Sequence, residues 1–250
     1  MATAVSMDPQ KPAHLEPSEL GTREYWDQTY STDLSTHAST PSHEGHTWFS
    51  DVNASQKILK YLTSTSLGLD KEATTFLDLG TGNGEMLFLL RDEGGFTNRL
   101  IGVDYSRSSV ELCKKLSQQK GLALRPSLDE QNSIDFILWD ILHSKPRPEW
   151  VEGFDVVLDK GTFDAVSLSG EVDELQRRVV EGYARRVEGL VKKGGLVVVT
   201  SCNWTEEELK NWFCGEESTL EVYGRVNYPV FKFGGHTGQS VCSICFKKKS

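Results

Sequence analysis

The stretch FLDLGTGNG at residues 76–84 constrains the fold of this chain more than any other. An apolar run that ends in an acid and three closely spaced glycines predicts a strand turning sharply into a helix. Glycines adopt positive φ angles and let a ligand approach the backbone, and the following helix points its N-terminus at that ligand. We therefore expect a nucleotide-type pocket whose cofactor contacts Asp78, Gly80, Thr81, Gly82, Asn83 and Gly84.

The residues after this turn supply the context that the glycine pattern requires. Glu85 to Arg91 is amphipathic and predicts the helix. A second apolar run, Leu100 to Val103, ends in Asp104, a little more than 20 residues after the turn. An acid at this place accepts hydrogen bonds from ribose hydroxyls. We expect Asp104 and its neighbour Tyr105 to bind the adenosine part of a cofactor.

The charges near the turn distinguish two adenosine cofactors. A dinucleotide would place its pyrophosphate close to the carboxylate of Asp78, which repels it, and would favour a small residue where Glu85 stands. S-adenosylmethionine has no phosphate and carries a sulfonium and an ammonium group. Acids at both strand ends suit that charge, so the sequence favours S-adenosylmethionine over a nicotinamide dinucleotide.

A third apolar run, Ile134 to Trp139, predicts the next strand and ends in Asp140. Ligands of such sheets bind at this end of the strands. Trp139 or Ile141 is expected to flank the adenine, while Asp140 accepts a hydrogen bond from its amino group. The alternative is that Asp140 is an ordinary loop acid.

Composition narrows the class of protein. The 250 residues, 38% of them hydrophobic, fit one globular domain, and the net charge of -9 favours a basic partner over nonspecific nucleic-acid binding. With no leader or membrane-spanning run, we expect a monomeric, cytoplasmic protein with possible nuclear presence. HEGH at 43–46 is not a metal motif, and Cys242 and Cys245 lack a second pair, so we expect no metal site.

The N-terminal part divides into two predicted segments. Residues 1–20 lack periodicity and predict a disordered lead-in, and residues 21–70 predict a helical or lid segment before the domain proper at 71–250. Trp26 lies on an aromatic face that either packs on the domain or covers the pocket and touches the cofactor. The Ser/Thr-rich piece from Ser31 to Ser42 predicts a loop.

The second half alternates strands and helices, which predicts a doubly wound, mostly parallel α/β sheet. A helix is expected from Glu171 to Leu190 with Leu175 in its buried stripe, and Thr205 with Glu208 predicts a capping box. Alternating residues near the C-terminus predict an antiparallel strand pair.

Four pieces of the sequence, GTREYWDQTY, FLDLGTGNG with GVDYS, LDKGTFDAVSL, and TSCNWTEEEL with FKFGG, span residues 21–235. Together they resemble the class I, seven-strand protein-lysine methyltransferases that act on translation elongation factor 1-alpha in fungi and animals. The resemblance implies the seven-stranded fold, S-adenosylmethionine as cofactor and a protein lysine as acceptor.

The segment after the fourth strand holds the residues expected to meet the acceptor lysine. Asp159 is expected at the pocket rim, gripping the ammonium, and Phe163 walls the aliphatic stem; both are the candidate catalytic residues. Lys160 should point away from the sulfonium because two cations repel each other. The alternative for Asp159 is a helix cap or a partner for Lys160.

Two other functions share much of this pattern. A small-molecule methyltransferase uses the same cofactor half, and only the acceptor-side segments argue against it. A noncatalytic cofactor-binding partner of the elongation factor would also keep the acids at Asp78, Asp104 and Asp140. An oxidoreductase is a more distant alternative.

Overall fold

The computed structural model describes residues 11–121, 134–229, 231–233, 236–238 and 240–250, with only the backbone described at 231–233 and 236–238. The strands are β1 Phe76–Leu79, β2 Leu100–Asp104, β3 Ile134–Leu138, β4 Phe154–Lys160, β5 Val191–Ser201, β6 Leu220–Val226, β7 Phe231–Phe233, β8 His236–Gly238 and β9 Cys242–Lys248. The α-helices are α1 Arg23–Ser39, α2 Ala54–Leu62, α3 Glu85–Asp92, α4 Arg107–Gln119, α5 Thr162–Ser167, α6 Tyr183–Glu188 and α7 Glu206–Phe213.

Seven strands form one sheet in the order β3-β2-β1-β4-β5-β9-β6. Strands β1 to β5 are parallel, whereas β9 runs antiparallel to both β5 and β6. The predicted α/β fold with an antiparallel C-terminal pair is confirmed. The chain reverses its direction of winding between β1 and β4, and open α/β sheets bind ligands in the crevice at such a point.

The central strand β1 has buried side chains on both faces, as a strand inside a parallel sheet requires. Phe76 packs into a core with α2, α3 and α4, while Leu77 belongs to the core on the opposite face, with α6 and α7. Neighbouring residues of one strand therefore anchor two different helix layers. This places the glycine turn after β1 at the centre of the molecule.

Helix α1 runs through most of the piece from Ser31 to Ser42, so the loop prediction there is wrong. Hydroxyl groups on this helix donate to the backbone four residues earlier, as Thr32 does to the carbonyl of Gln28. One face of the helix buries Tyr30, Asp33 and His37 and packs against α4. Tertiary packing thus overrides the weak helix propensity of serine and threonine.

Residues 11–20 follow a defined path over the domain, which corrects the prediction of a disordered lead-in for that half of residues 1–20. Lys11 forms an ion pair with Glu181, and the amide of Ser18 donates to the carbonyl of Leu168 at 3.1 Å. Residues 1–10 lie outside the described part.

The helix expected from Glu171 to Leu190 is also wrong in its first half. The amides of Leu175 and Arg177 donate to the carboxylate of Asp173, which closes a turn in competition with the helix. Leu175 is 70% exposed instead of buried. A short 3-10 turn and α6 form the second half.

The predicted capping box and the predicted antiparallel strand pair are both present in the C-terminal part. Thr205 and Glu208 form the predicted capping box at the start of α7. Cys242 and Cys245 lie in β9 and pair with Ser201 and Val198 of β5. Within the described ranges, no helix is both long and apolar enough to cross a membrane.

Candidate active site

A cleft of about 860 Å³, counted to its open mouth, lies at the carboxyl ends of β1, β2, β4 and β5. It is lined by Leu20, Trp26, Tyr30, Trp48, Phe49, Leu79, Gly80, Val103, Asp104, Tyr105, Trp139, Ile141, Lys160, Gly161, Thr162, Asp164, Ala165, Leu168, Cys202 and Asn203.

Gly80 is the residue of the glycine turn that lines the cleft. Its φ of +59° lies in the left-handed region, and a Cβ here would overlap the hydroxyl of Thr162. At Gly82, with φ of +60°, a Cβ would come within 2.9 Å of the Tyr30 hydroxyl. The turn therefore needs glycine for its backbone conformation and for close contact with α1 and α5.

The other predicted residues of the turn lie beneath the cleft and do not line it. Asp78 is 3% exposed and accepts a hydrogen bond from the Thr81 hydroxyl at 2.7 Å. Burial raises the pKa of Asp78 to about 6. The side chain of Asn83 donates to the carbonyl of Glu44, and Gly84 begins α3. These contacts hold the turn and the start of α3 in place.

Asp104 and Tyr105 line the cleft at the end of β2. The carboxylate of Asp104 accepts hydrogen bonds from the amides of Gly82 at 3.2 Å and Ser106 at 2.8 Å. Burial raises its pKa to about 6, although the hydrogen bonds from the Ser106 and Gly82 amides act in the opposite direction. The guanidinium of Arg23 lies 4.3 Å from the centre of the Tyr105 ring. Two backbone amides thus fix the orientation of this carboxylate at the wall of the cleft.

Trp139 and Ile141 also line the cleft, as expected, but Asp140 between them does not. The Asp140 carboxylate forms ion pairs with Arg23 and His143. It also accepts from the amide of Leu142 at 2.9 Å. The structure thus assigns Asp140 to joining α1 with the loop after β3, and the predicted contact with the adenine amino group has no support in this arrangement.

An aromatic wall covers the cleft from the N-terminal segment. Trp26 lies 6.0 Å from Tyr30 and 5.3 Å from Trp48 between ring centres, and Trp48 lies 6.1 Å from Phe49. The aromatic face predicted around Trp26 includes Tyr30, from their spacing within GTREYWDQTY, whereas Trp48 and Phe49 were not predicted as part of the site.

The structure does not place Asp159 or Phe163 at the cleft, which corrects both predicted catalytic roles. Asp159 is fully buried and accepts from the Tyr183 hydroxyl at 2.6 Å and the Phe163 amide at 3.0 Å. Phe163 is fully buried against Trp204, Trp212 and other rings. Asp159 is therefore a helix cap, as the alternative stated, with Tyr183 instead of Lys160 as its partner.

Lys160 lines the cleft, and neighbouring residues bind its ammonium group. Its ammonium group donates to the carbonyl of Trp48 at 3.1 Å and lies 4.0 Å from a carboxylate oxygen of Glu85. Burial lowers its pKa from the ordinary value. The side chain thus ties the aromatic wall to β4 and α3.

The wall beyond β4 and β5 was predicted as the acceptor side by its segments, but not by the residues that form it. Thr162, Asp164, Ala165 and Leu168 belong to α5 and its end, and Cys202 and Asn203 follow β5. The motifs LDKGTFDAVSL and TSCNW contain all six of these residues. The motifs therefore marked the correct segments, but within the first segment the predicted roles went to the wrong residues.

The comparisons with known proteins agree with this architecture. A family model described as methyltransferase domain matches residues 70–238. The [4+2]-cyclase SpnF is similar in structure, with a TM-score of 0.57 over 96% of this chain and 99% of its own, at 16% identity. Identity this low shows the fold alone, and one fold hosts many reactions. The fold and the family match together define a methyltransferase domain.

Relatives in sequence identify the kind of methyltransferase. Protein-lysine N-methyltransferase EFM4 of Saccharomyces cerevisiae is 39% identical over 96% of this chain and 100% of its own length. EEF1A lysine methyltransferase 2 of Danio rerio is 34% identical over 95% and 91%, and that of Homo sapiens is 33% identical over 93% and 88%. The chain belongs to this family of protein-lysine N-methyltransferases, which confirms the resemblance seen in its motifs.

Proposed function

We propose that this protein transfers a methyl group from S-adenosylmethionine to a lysine side chain of translation elongation factor 1-alpha. The carboxylate of Asp104 carries the proposal, because it opens into the cleft beside Gly80 and suits the paired hydroxyls of a ribose. The relatives named EEF1A lysine methyltransferase 2, which match over most of their length, support the elongation factor as acceptor.

The residues of the cleft fit S-adenosylmethionine better than a dinucleotide. The acid Asp78 beneath the turn disfavours a pyrophosphate. Trp139 and Ile141 offer apolar surface to a flat base. Among the described residues, the buried indole N–H of Trp48 has no acceptor, and the carboxylate of the methionine part is a group that could accept from it. S-adenosylmethionine supplies a methyl group on a cationic sulfur, which an uncharged amine attacks.

The protein's own contribution is mainly to position the acceptor and to exclude water. A free lysine has a pKa of about 10.4 and must lose a proton before it can attack. The rings of Trp26, Trp48 and Phe49 close one side of the cleft against solvent. A narrow apolar approach of this kind holds an amine at reacting distance and orientation, which is a large part of catalysis in displacement reactions.

The test is to incubate the purified full chain with S-adenosylmethionine and unmethylated elongation factor 1-alpha, and to measure the intact mass of the factor. We expect mass increases of one or more methyl groups, located on a lysine by fragmentation. Asp104→Asn should weaken cofactor binding in a calorimeter by about tenfold or more, since it loses charged hydrogen bonds to the ribose.

Asp135→Asn is the matched control. Asp135 lies on the neighbouring strand β3, is not part of the cleft lining, and should leave the affinity for the cofactor unchanged. Methylation confined to RNA or to small metabolites would contradict the proposal. So would a protein that binds the cofactor and the factor but transfers nothing.

We also propose that the enzyme works as a monomer in the cytoplasm, where a translation factor is encountered. The net charge of -9 suits a basic partner. Light scattering after size exclusion should give a mass close to 28.0 kDa. A tagged protein confined to an organelle would contradict the location.

A further inference from the structure

Two carboxylates line the cleft on opposite sides of the turn after β1. Asp104 stands at the end of β2 and faces the half of the cleft proposed for the adenosine. Asp164 stands on α5, after β4, and contacts the segment after β5. The reaction as described so far gives Asp164 no role.

Hydrogen bonds from uncharged groups fix the position of the Asp164 carboxylate. It accepts hydrogen bonds from the hydroxyl of Ser201 and from the amide of Cys202 at 2.9 Å, with the Cys202 thiol at 3.4 Å. The residue is only 6% exposed. Because its orientation is fixed by neighbouring residues, the carboxylate does not need to reorganise to meet a ligand.

No lysine, arginine or histidine in the described part of the chain forms an ion pair with Asp164. Asp78, Asp104 and Asp159 are likewise buried without an ion pair in the described ranges, and of these only Asp104 lines the cleft. Asp164 therefore combines a carboxylate without a cation and a place in the cleft lining, on the side away from Asp104. Burial also raises the pKa of Asp164, and a bound cation would offset that effect.

The cleft beside Asp164 suits the rest of a lysine side chain. Ala165 and Leu168 of the α5 segment and the rings of Trp26 and Trp48 supply apolar surface along the same cleft. Four methylene groups ending in a cation match an apolar passage that contains an acid. The predicted role of Asp159 thus has a better candidate five residues further on.

We propose that Asp164 is the group that binds the ammonium of the incoming lysine, with Cys202 and Asn203 forming the adjoining wall of an acceptor subsite. This rests on the proposed function, because it concerns the acceptor of the same transfer. Asp164 binds and orients the charged lysine. A carboxylate stabilises the ammonium form, so loss of the proton to water follows as a separate event.

A small probe tests the subsite without the elongation factor. n-Butylamine reproduces the end of a lysine side chain, and 1-butanol has nearly the same size without the charge. Their binding to the full chain saturated with S-adenosylhomocysteine is measured by the fluorescence of the tryptophans that line the cleft. We expect the wild-type protein to bind the amine at least about tenfold more tightly than the alcohol.

Asp164→Asn should bind both probes equally, with the affinity for the alcohol unchanged. Asp155→Asn is the matched control. Asp155 also accepts from an amide and a hydroxyl, both of Thr75, but it lies at the amino end of β4, at the other end of the strand from the cleft. It should retain the wild-type preference. If Asp164 had only a structural role, Asp164→Asn would be less stable but would still prefer the amine to the alcohol.

The outcomes separate this proposal from the proposed function. If the protein prefers the amine but does not methylate the elongation factor, the subsite at Asp164 is supported and the elongation factor is not the acceptor. Methylation with unchanged kcat and KM in Asp164→Asn would overturn the subsite alone. If Asp164→Asn does not fold, the wild-type comparison decides, since equal binding of amine and alcohol overturns the proposal.

Discussion

Replacing Asp159 with asparagine should change how stability depends on pH while leaving methyl transfer almost intact. Burial raises the pKa of this carboxyl to about 7, although the Tyr183 hydroxyl and the Phe163 amide act in the opposite direction. Its ordinary pKa is 3.8. Between those two values the folded protein keeps a proton that the unfolded chain has lost, so stability falls as pH rises.

The size of the effect follows from the same two values. Between pH 5 and pH 8, Asp159 should remove about 2.5 kcal/mol from the free energy of unfolding of the wild type. Asparagine carries no charge, so the variant should lack this loss. Asp78 and Asp104 titrate in both proteins, and their contributions therefore cancel in the comparison.

Urea unfolding at pH 5, 6, 7 and 8 measures the difference directly. Asp155→Asn is a useful control, because hydrogen bonds from Thr75 and Lys192 outweigh burial and lower the pKa of Asp155. Its removal should leave the slope between pH 5 and 8 unchanged. Equal slopes in the wild type and in Asp159→Asn, or a loss of turnover of about tenfold in that variant, would refute a purely structural role for Asp159.

Two further pairs of variants test the packing around the cleft. Phe163→Ala and Phe96→Ala remove fully buried rings from opposite faces of the sheet and should each lower the free energy of unfolding by about 3–5 kcal/mol. Neither should raise KM for the acceptor at a temperature where both stay folded; a rise in Phe163→Ala alone would restore its predicted role. In Gly21→Ala the new Cβ would overlap the backbone of Leu168, so the segment carrying Leu20 must shift and initial rates should fall by about tenfold. Gly182→Ala, which meets no atom within 4 Å, should leave those rates unchanged.

The fold was predictable because its signals are local. An apolar run, a set of glycines and an amphipathic stretch specify strand, turn and helix within FLDLGTGNG and the residues after it. The failures arose where distant contacts decide. Helix α1 continues through serines and threonines because its buried face packs on α4, and Asp173 ends a helical pattern by binding amides of its own loop.

The site was predictable only in part for the same reason. A strand-end acid such as Asp104 is fixed near the cleft by topology, and Trp139 and Ile141 follow from the same rule. Which of the two acids faces the cleft depends on how the end of β4, which holds Asp159, and helix α5, which holds Asp164, pack on the core. The Tyr183 hydroxyl and the Phe163 amide hold Asp159 in the core, whereas Asp164 reaches the cleft, and nothing in the local sequence distinguishes the two.

The central claim is that this cleft methylates a protein lysine. The most direct measurement is to incubate the full chain with isotopically labelled S-adenosylmethionine in a cell extract and to identify labelled molecules by mass spectrometry. Gly82→Arg is the inactive control, because a side chain at φ of +60° is strained and meets the Tyr30 hydroxyl. We predict label on a lysine of elongation factor 1-alpha with the wild type and none with Gly82→Arg. Label found only on RNA or metabolites, or equal labelling by both proteins, would contradict the account.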